Sequence, residues 1–231
     1  MNNPLTIDIW SDIACPWCWI GKRSLEEALG QFDGDVEIRW HAFELNPNAP
    51  RTAPDSVDYA ERLAEKYGTT KAEGQAFIDR MVAAGETRGL ELRFDRIRPS
   101  NTFDAHRLLA HAHAQGLQTE LKERLFRAYL HEGGSIADHD TLVELAAEVG
   151  LDADGAREVL EGDSFAETVR AEETTAYRLG ITGVPCFVFA MKTGVSGALP
   201  PEVLVEMMQE AADSAETQRP VTPSSSGAEA E

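Results

Sequence analysis

Cysteine is scarce, three in 231 residues, too few for the bridged framework that holds small secreted domains together. Basic residues are short as well. Lys and Arg number 21 against 40 Asp and Glu, a formal charge of −19, which disfavours nucleic acid and anionic membrane surfaces as partners. No apolar run approaches the ~20 residues of a membrane span, and Met1 to Trp10 lacks the basic start and apolar core of an export signal. Also missing are GxSxG, Walker A and GxGxxG in a fitting context, helical histidines four apart, and any internal repeat. The expectation is a cytoplasmic protein with no bound metal or cofactor, no nucleic-acid or membrane partner, and a monomeric or homodimeric state. An apolar content of 42% is enough for a substantial core.

Two of the three cysteines fall in Cys15-Pro16-Trp17-Cys18. Before them Leu5, Ile7 and Ile9 alternate with Thr6, Asp8 and Trp10, as in a strand. After them Ile20, Leu25, Ala28, Leu29 and Phe32 recur at helical spacing. With Cys15 just ahead of that helix, Pro16 takes the first helical position, where its missing N–H costs nothing. The free N–H groups of the first turn then favour an anion on Cys15, and Cys18 lies one turn on. A thiol of pKa ~8.5 is about 3% ionised at pH 7, and one lowered to ~6 is about 90% ionised. Cys15 is therefore expected to be an exposed, anionic nucleophile and Cys18 the resolving thiol. A half zinc site is the competing reading, but Cys186 is the remaining cysteine and no second ligand pair supports it.

Val36, Ile38 and Trp40 form a second strand, so the chain opens with a βαβ unit and a parallel pair. Pro47, Pro50 and Pro54 mark a linker. Helical patterns then cover Ser56 to Tyr67, Lys71 to Arg88, Thr102 to Gln115, Gln118 to His131, Asp140 to Val149, Ala153 to Leu160 and Ser164 to Leu179. Phe187 to Phe189 reads as a returning strand, Lys192 to Ser196 as its hairpin partner, and Pro200-Pro201 starts a last amphipathic helix. From Asp213 onward the composition reads as a disordered acidic tail. The division expected is 1–46 and 181–212 as two halves of one α/β unit, 47–180 as a helical insertion, and 213–231 as tail.

Four segments carry a resemblance: Ser11-Asp12 through Cys15-Pro16-Trp17-Cys18-Trp19-Ile20-Gly21, Phe43-Glu44-Leu45-Asn46-Pro47, Ser100 to Arg107, and Thr182-Gly183-Val184-Pro185. In this order, spanning roughly Leu5 to Ala212, they resemble the DsbA-like thioredoxin family, in particular its cytoplasmic FrnE-type branch. The fold implied is α/β, a thioredoxin fold (βαβ…ββα, mixed sheet) carrying a large all-helical insertion domain. The resemblance also implies a cis Val184–Pro185 bond opposite the cysteines. The Val184 backbone would then be free to pair with an extended substrate strand, and Pro16 and Trp17 would flank the bound segment.

Other candidates are read from position. Asp8, on a central strand covered on both faces, is a desolvated carboxylate suited to accept the Cys18 proton; a structural, hydrogen-bonded Asp is the competing reading. His41, ending the second strand, is a candidate to stabilise the thiolate. Cys186 follows Pro185, where the FrnE-type pattern has an aromatic, and reads as a third thiol or as a small buried hydrophobe. Trp17 and Trp19 offer packing and an apolar platform. The function indicated is thiol–disulfide oxidoreductase or isomerase, acting on protein or peptide substrates, with glutathione a candidate co-substrate. Two alternatives stay open. One is a glutathione-dependent enzyme of the kappa-transferase or hydroxychromene-carboxylate isomerase type, with Asn101, Thr102 and Asp104 as contacts. The other is a holdase-type binding protein.

Overall fold

The computed structural model describes residues 4–51 and 57–216. The expected linker residue Pro54, the start of the helix expected from Ser56, and the tail beyond residue 216 lie outside the described residues.

Strand β1 (Leu5–Ser11) is central in a four-stranded mixed sheet of order β2-β1-β3-β4. It runs parallel to β2 (Val36–Ala42) and antiparallel to β3 (Cys186–Phe189), which pairs antiparallel with β4 (Thr193–Ser196). Side-chain alternation along β1 divides its environment. Ile7 and Ile9 pack with Leu25 and Ala28 of α1 (Pro16–Leu29) and with Leu204 and Met208 of α9 (Pro201–Glu216). Trp10 turns to the other face, with Cys186, Val188 and Ala176 of α8 (Ala166–Arg178). This is the thioredoxin-like DsbA fold, with its helix-rich insertion between β2 and β3.

The insertion brings α2 (Tyr59–Tyr67), α3 (Lys71–Glu86), α4 (Phe103–His113), α5 (Gln118–Arg127), α6 (His139–Glu148) and α7 (Ala153–Glu161) ahead of α8. Local sequence starts two of them. Asp58 accepts the Glu61 N–H at 3.1 Å to cap α2, and Thr70 with Glu73 forms a capping box on α3. The pair packs so closely that a Cβ on Gly74 would lie 2.1 Å from the Ala60 carbonyl oxygen.

Two readings need correction. The helix expected to run unbroken from Gln118 to His131 leaves α-geometry at Arg127 and continues as a single π turn, Ala128–Glu132. The tail expected from Asp213 starts too early: α9 runs to Glu216, through Ala211, Ala212 and Ala215. Alanine is the strongest helix former, and polar composition alone misses that preference.

Candidate active site

Cys15 occupies the N-cap of α1 in extended geometry (φ −99°, ψ 110°), followed by Pro16. No side chain caps this helix and its first turn carries no acid. The Cys15 sulfur therefore stands where a capping oxygen would be. The Cys15 N–H donates to the Asp12 carbonyl at 3.1 Å, and the Cys18 N–H donates to the Cys15 carbonyl at 3.0 Å. Across the groove the Cys15 Sγ–H donates to the Val184 carbonyl at 3.5 Å. The Val184–Pro185 bond is cis, in agreement with the resemblance. Gly21, one turn beyond Cys18, makes this approach possible: a Cβ there would meet Pro185 Cγ at 3.1 Å and Phe187 Cζ at 3.2 Å. All three cysteines are free thiols.

The electrostatics differ from the sequence expectation. Cys15 is 4% exposed, so the reduced thiol is sheltered. It is not an independently acidic sulfur either. A side-chain hydrogen bond with Cys18, burial, and the charge on Cys18 hold it well above the ordinary thiol range. The nearby Asp12 carboxylate adds to this, and the Cys18 N–H pulls the other way. The expectation counted the helix N-terminus and left out the adjacent sulfur and carboxylate. The two sulfurs form a coupled pair in which the second proton is held tightly once the first has gone.

Asp12, within the Ser11 to Gly21 segment, is a further residue of the site, identified by its contacts and not by its place in the motif. It is fully buried, accepting the Leu45 N–H at 2.8 Å and the Ala14 N–H at 3.3 Å. Its Oδ1 lies 3.5 Å from His106 Nε2. Burial works against its charge, but His106 and these N–H groups hold its carboxyl below the usual value. The motif segments converge behind it. Asn101 donates to Glu44 and to the Pro47 carbonyl, both at 3.1 Å, and Glu44 also holds Arg170 at 2.7 Å. Asn101 and Asp104 are thus committed to internal bonds, Asp104 to Arg107 and His139; of the three residues expected to meet glutathione, Thr102 lines the cavity described next.

That cavity, about 810 Å³, opens at Cys15 between the sheet and the insertion. Pro16 and the exposed Trp17 form one side, and Tyr59, Phe77 and Met81 the other. Cys18 and Cys186 are not among its lining residues. Arg62, Lys66 and Arg80 line it too, and among the described residues none of the three forms an ion pair.

Asp8 and His41 are not brought to the sulfurs. Asp8 shares the Trp10 face of β1, opposite α1, and accepts from His41 Nε2 at 2.8 Å. His41 stacks on Trp10, 4.5 Å between centroids, and also bonds Glu172. Burial opposes its charge, but the Asp8 and Glu172 carboxylates raise it to about 9. The strand pattern showed Asp8 to be buried without showing which helix covered it. Cys186 lies on that same face with Trp10 and Val188, its thiol raised by burial against a hydrogen bond with Ser196. Trp19 is a packing residue: it stacks on Phe126 and its indole N–H reaches Glu123. No cluster of His, Cys, Asp and Glu among the described residues could hold a metal, and no described helix is long and apolar enough to cross a membrane.

A helix-capping cysteine pair facing a cis-proline turn, on a split sheet with a helical insertion, defines a thioredoxin-fold protein of the DsbA-like kind. The chain belongs to the family described as the DSBA-like thioredoxin domain, whose model matches residues 6–209. It is 31% identical over 194 residues to the uncharacterized protein YwbO of Bacillus subtilis (strain 168), covering 83% of this chain and 90% of that one. A Streptomyces coelicolor crystal structure, described as a probable DsbA oxidoreductase, superposes with TM-score 0.84 at 39% identity, covering 94% of this chain and 93% of the other. The cytosolic disulfide reductase DsbM of Pseudomonas aeruginosa, solved with GSH, shares the fold at 21% identity and TM-score 0.59, over 92% and 98% of the two chains. The chain is thus a member of the DsbA-like oxidoreductase family.

Proposed function

We propose that this protein exchanges disulfides with protein or peptide substrates through Cys15 and Cys18, Cys15 attacking and Cys18 resolving. The observation that carries the assignment is asymmetry: Cys15 lines the cavity and faces the Val184 carbonyl, and Cys18 does neither. The reaction starts from the singly ionised pair, whose one remaining proton is shared in the hydrogen bond between the two sulfurs and shifts to Cys18 as Cys15 attacks. The Cys15 thiolate attacks one substrate sulfur, the substrate S–S bond breaks, and one substrate thiolate leaves. Cys18 then displaces the second substrate thiolate from Cys15, leaving the Cys15–Cys18 disulfide. Run backwards, the same steps oxidise a substrate dithiol. Trp17 and Pro16 flank the entering segment, and the Val184 backbone runs alongside it. Asp12 opposes charge on Cys15 and so favours the states in which that sulfur is covalently bonded.

In this reading Asp8 and His41 are structural, and Cys186 is a packing residue. The scarcity of cysteine fits action in the cytoplasm. Insulin-disulfide reduction and dithiol oxidation should both disappear in Cys15→Ser and Cys18→Ser and persist in Cys186→Ser. Activity retained without Cys15 and Cys18 overturns the reading.

A second reading concerns the co-substrate. Arg62, Lys66 and Arg80 line the cavity against Asp12 and Glu65, a positive excess of one (3 − 2) in a protein carrying a charge of −19; that local excess favours an anionic thiol, and glutathione, with two carboxylates and one amine, has that chemistry.

A further inference from the structure

The wall of the cavity across from Pro16 and Trp17 carries side chains that the exchange chemistry does not use. Helix α2 ends at Tyr67, where Gly68 turns the chain in left-handed geometry (φ 63°), and Tyr67 is left 60% exposed. Its ring meets Phe77 of α3 edge to face, 5.5 Å between centroids at 71°. Arg80, one turn along α3, lies over the Phe77 ring with its guanidinium carbon 4.8 Å from the centroid. The Lys66 ammonium stands 5.6 Å from the Tyr67 centroid. The result is a row of cation, ring, ring and cation, and all four residues line the cavity that Cys15 lines.

Among the described residues the exposed large apolar side chains are Trp17, Tyr67, Tyr177, Leu179 and Met191, and the first two flank this cavity. An aromatic pair open to solvent gains from being covered, both by burial and by ring contact. Charge narrows what covers it. Arg62, Lys66 and Arg80 stand on this wall against one carboxylate, Glu65. Asp12, the other carboxylate of the cavity, accepts the Leu45 and Ala14 N–H groups. Rings hold Lys66 and Arg80 in place, and neither is ion-paired among the described residues.

We infer that the α2–α3 wall selects the substrate, taking an aromatic side chain beside the substrate cysteine against Tyr67 and Phe77, with acidic neighbours facing Lys66 and Arg80. This deepens the disulfide-exchange reading and rests on it. Preferred substrates are peptides or protein segments that carry a ring and an acid beside the reactive cysteine. Tyr67 and Phe77 supply affinity, and Lys66 and Arg80 set the preferred sign of charge. Glutathione has no ring and gains nothing from the aromatic pair.

The test is a panel of short peptides, each with its cysteine in a mixed disulfide with mercaptoethanol, reacted with the reduced protein and followed by chromatography. Second-order rate constants should be about tenfold higher with Phe than with Gly beside the cysteine, and about threefold higher with Asp than with Lys beyond it. Tyr67→Ser should remove most of the Phe advantage and change the Gly peptides less than about twofold, whereas Tyr67→Phe should keep it. Arg80→Met should remove the Asp advantage and keep the Phe advantage. Equal rates for Phe and Gly peptides in the unmodified protein, or an equal loss for both in Tyr67→Ser, overturn the inference and leave the exchange reading standing. Peptides with serine in place of cysteine, titrated by calorimetry, measure the same preference without exchange. Failure of every peptide to exchange overturns the exchange reading, and the calorimetric order of Phe and Gly then decides the inference about the wall.

Discussion

Lys122, on α5, is 0% exposed, with the Trp40 and Phe126 rings 5.7 and 5.2 Å from its ammonium and no carboxylate paired with it among the described residues. It makes a stability prediction that needs no substrate. A fully buried cation lowered from 10.5 to about 8 destabilises the fold wherever it stays protonated. The unfolded chain keeps this proton up to pH 10.5 and the folded chain only to about 8. Between those values the unfolded state binds more protons, and stability rises with pH. Below 8 the cost is complete; above 10.5 it has gone. At ~1.4 kcal/mol per pH unit the interval corresponds to about 3 kcal/mol. The attraction of the ammonium to the Trp40 and Phe126 faces offsets about 1–2 kcal/mol of this. Lys122→Met, which fills the same space without charge, should therefore raise unfolding stability at pH 7 by about 1–2 kcal/mol. Urea unfolding measures it as a higher midpoint at unchanged slope, with the gain shrinking between pH 8 and 10.5. A variant less stable than its parent at pH 7, by an amount that does not change up to pH 10.5, refutes the reasoning.

Two further outcomes are expected. His41, raised to about 9 by Asp8 and Glu172 despite burial, contributes about 2–3 kcal/mol that is fully present below pH 6.5 and lost as pH rises through 9. Denaturant melts of His41→Asn should show that loss at pH 6 and nearly none at pH 10; equal losses at both would contradict the Asp8–His41–Glu172 arrangement. For the co-substrate, Arg62→Met should slow exchange with glutathione disulfide about 5–10-fold and leave exchange with cationic cystamine unchanged or faster, as removal of one charge near the cavity requires. Equal slowing of both would remove the case for an anionic substrate.

What could be read from the chain was whatever local order decides. The β1–α1 unit rests on period-two and helical patterns that meet at Pro16; the strand and the start of the helix lie where those patterns put them, while α1 stops at Leu29 with Gly30 as its C-cap, short of the Phe32 that the helical spacing included. The four quoted segments likewise converge, because their polar groups bond each other: Asp12 holds the Leu45 N–H, Asn101 holds Glu44, and the Cys15 thiol reaches the Val184 carbonyl. Features set by tertiary neighbours were less accessible. Burial of Asp8 was legible, but its partner depended on which helix covers which sheet face. The dipole of α1 could be read at Cys15, whereas the opposing influences come from a sulfur and a carboxylate whose distances sequence does not state. Lys122 did carry a signal. It lies three and four residues before Leu125 and Phe126 and four after Gln118, on the buried stripe of α5. A lysine on an apolar stripe ordinarily reaches solvent by its long stem, and only the packing shows that this one does not.

The central claim is that sulfur 15 makes the covalent bond to substrate. Cys18→Ser incubated with a peptide disulfide should accumulate one mixed disulfide per chain, and mass spectrometry of its digest should place the peptide on Cys15. An adduct on Cys186, or an adduct that still forms when Cys15 is also replaced by serine, would contradict the account.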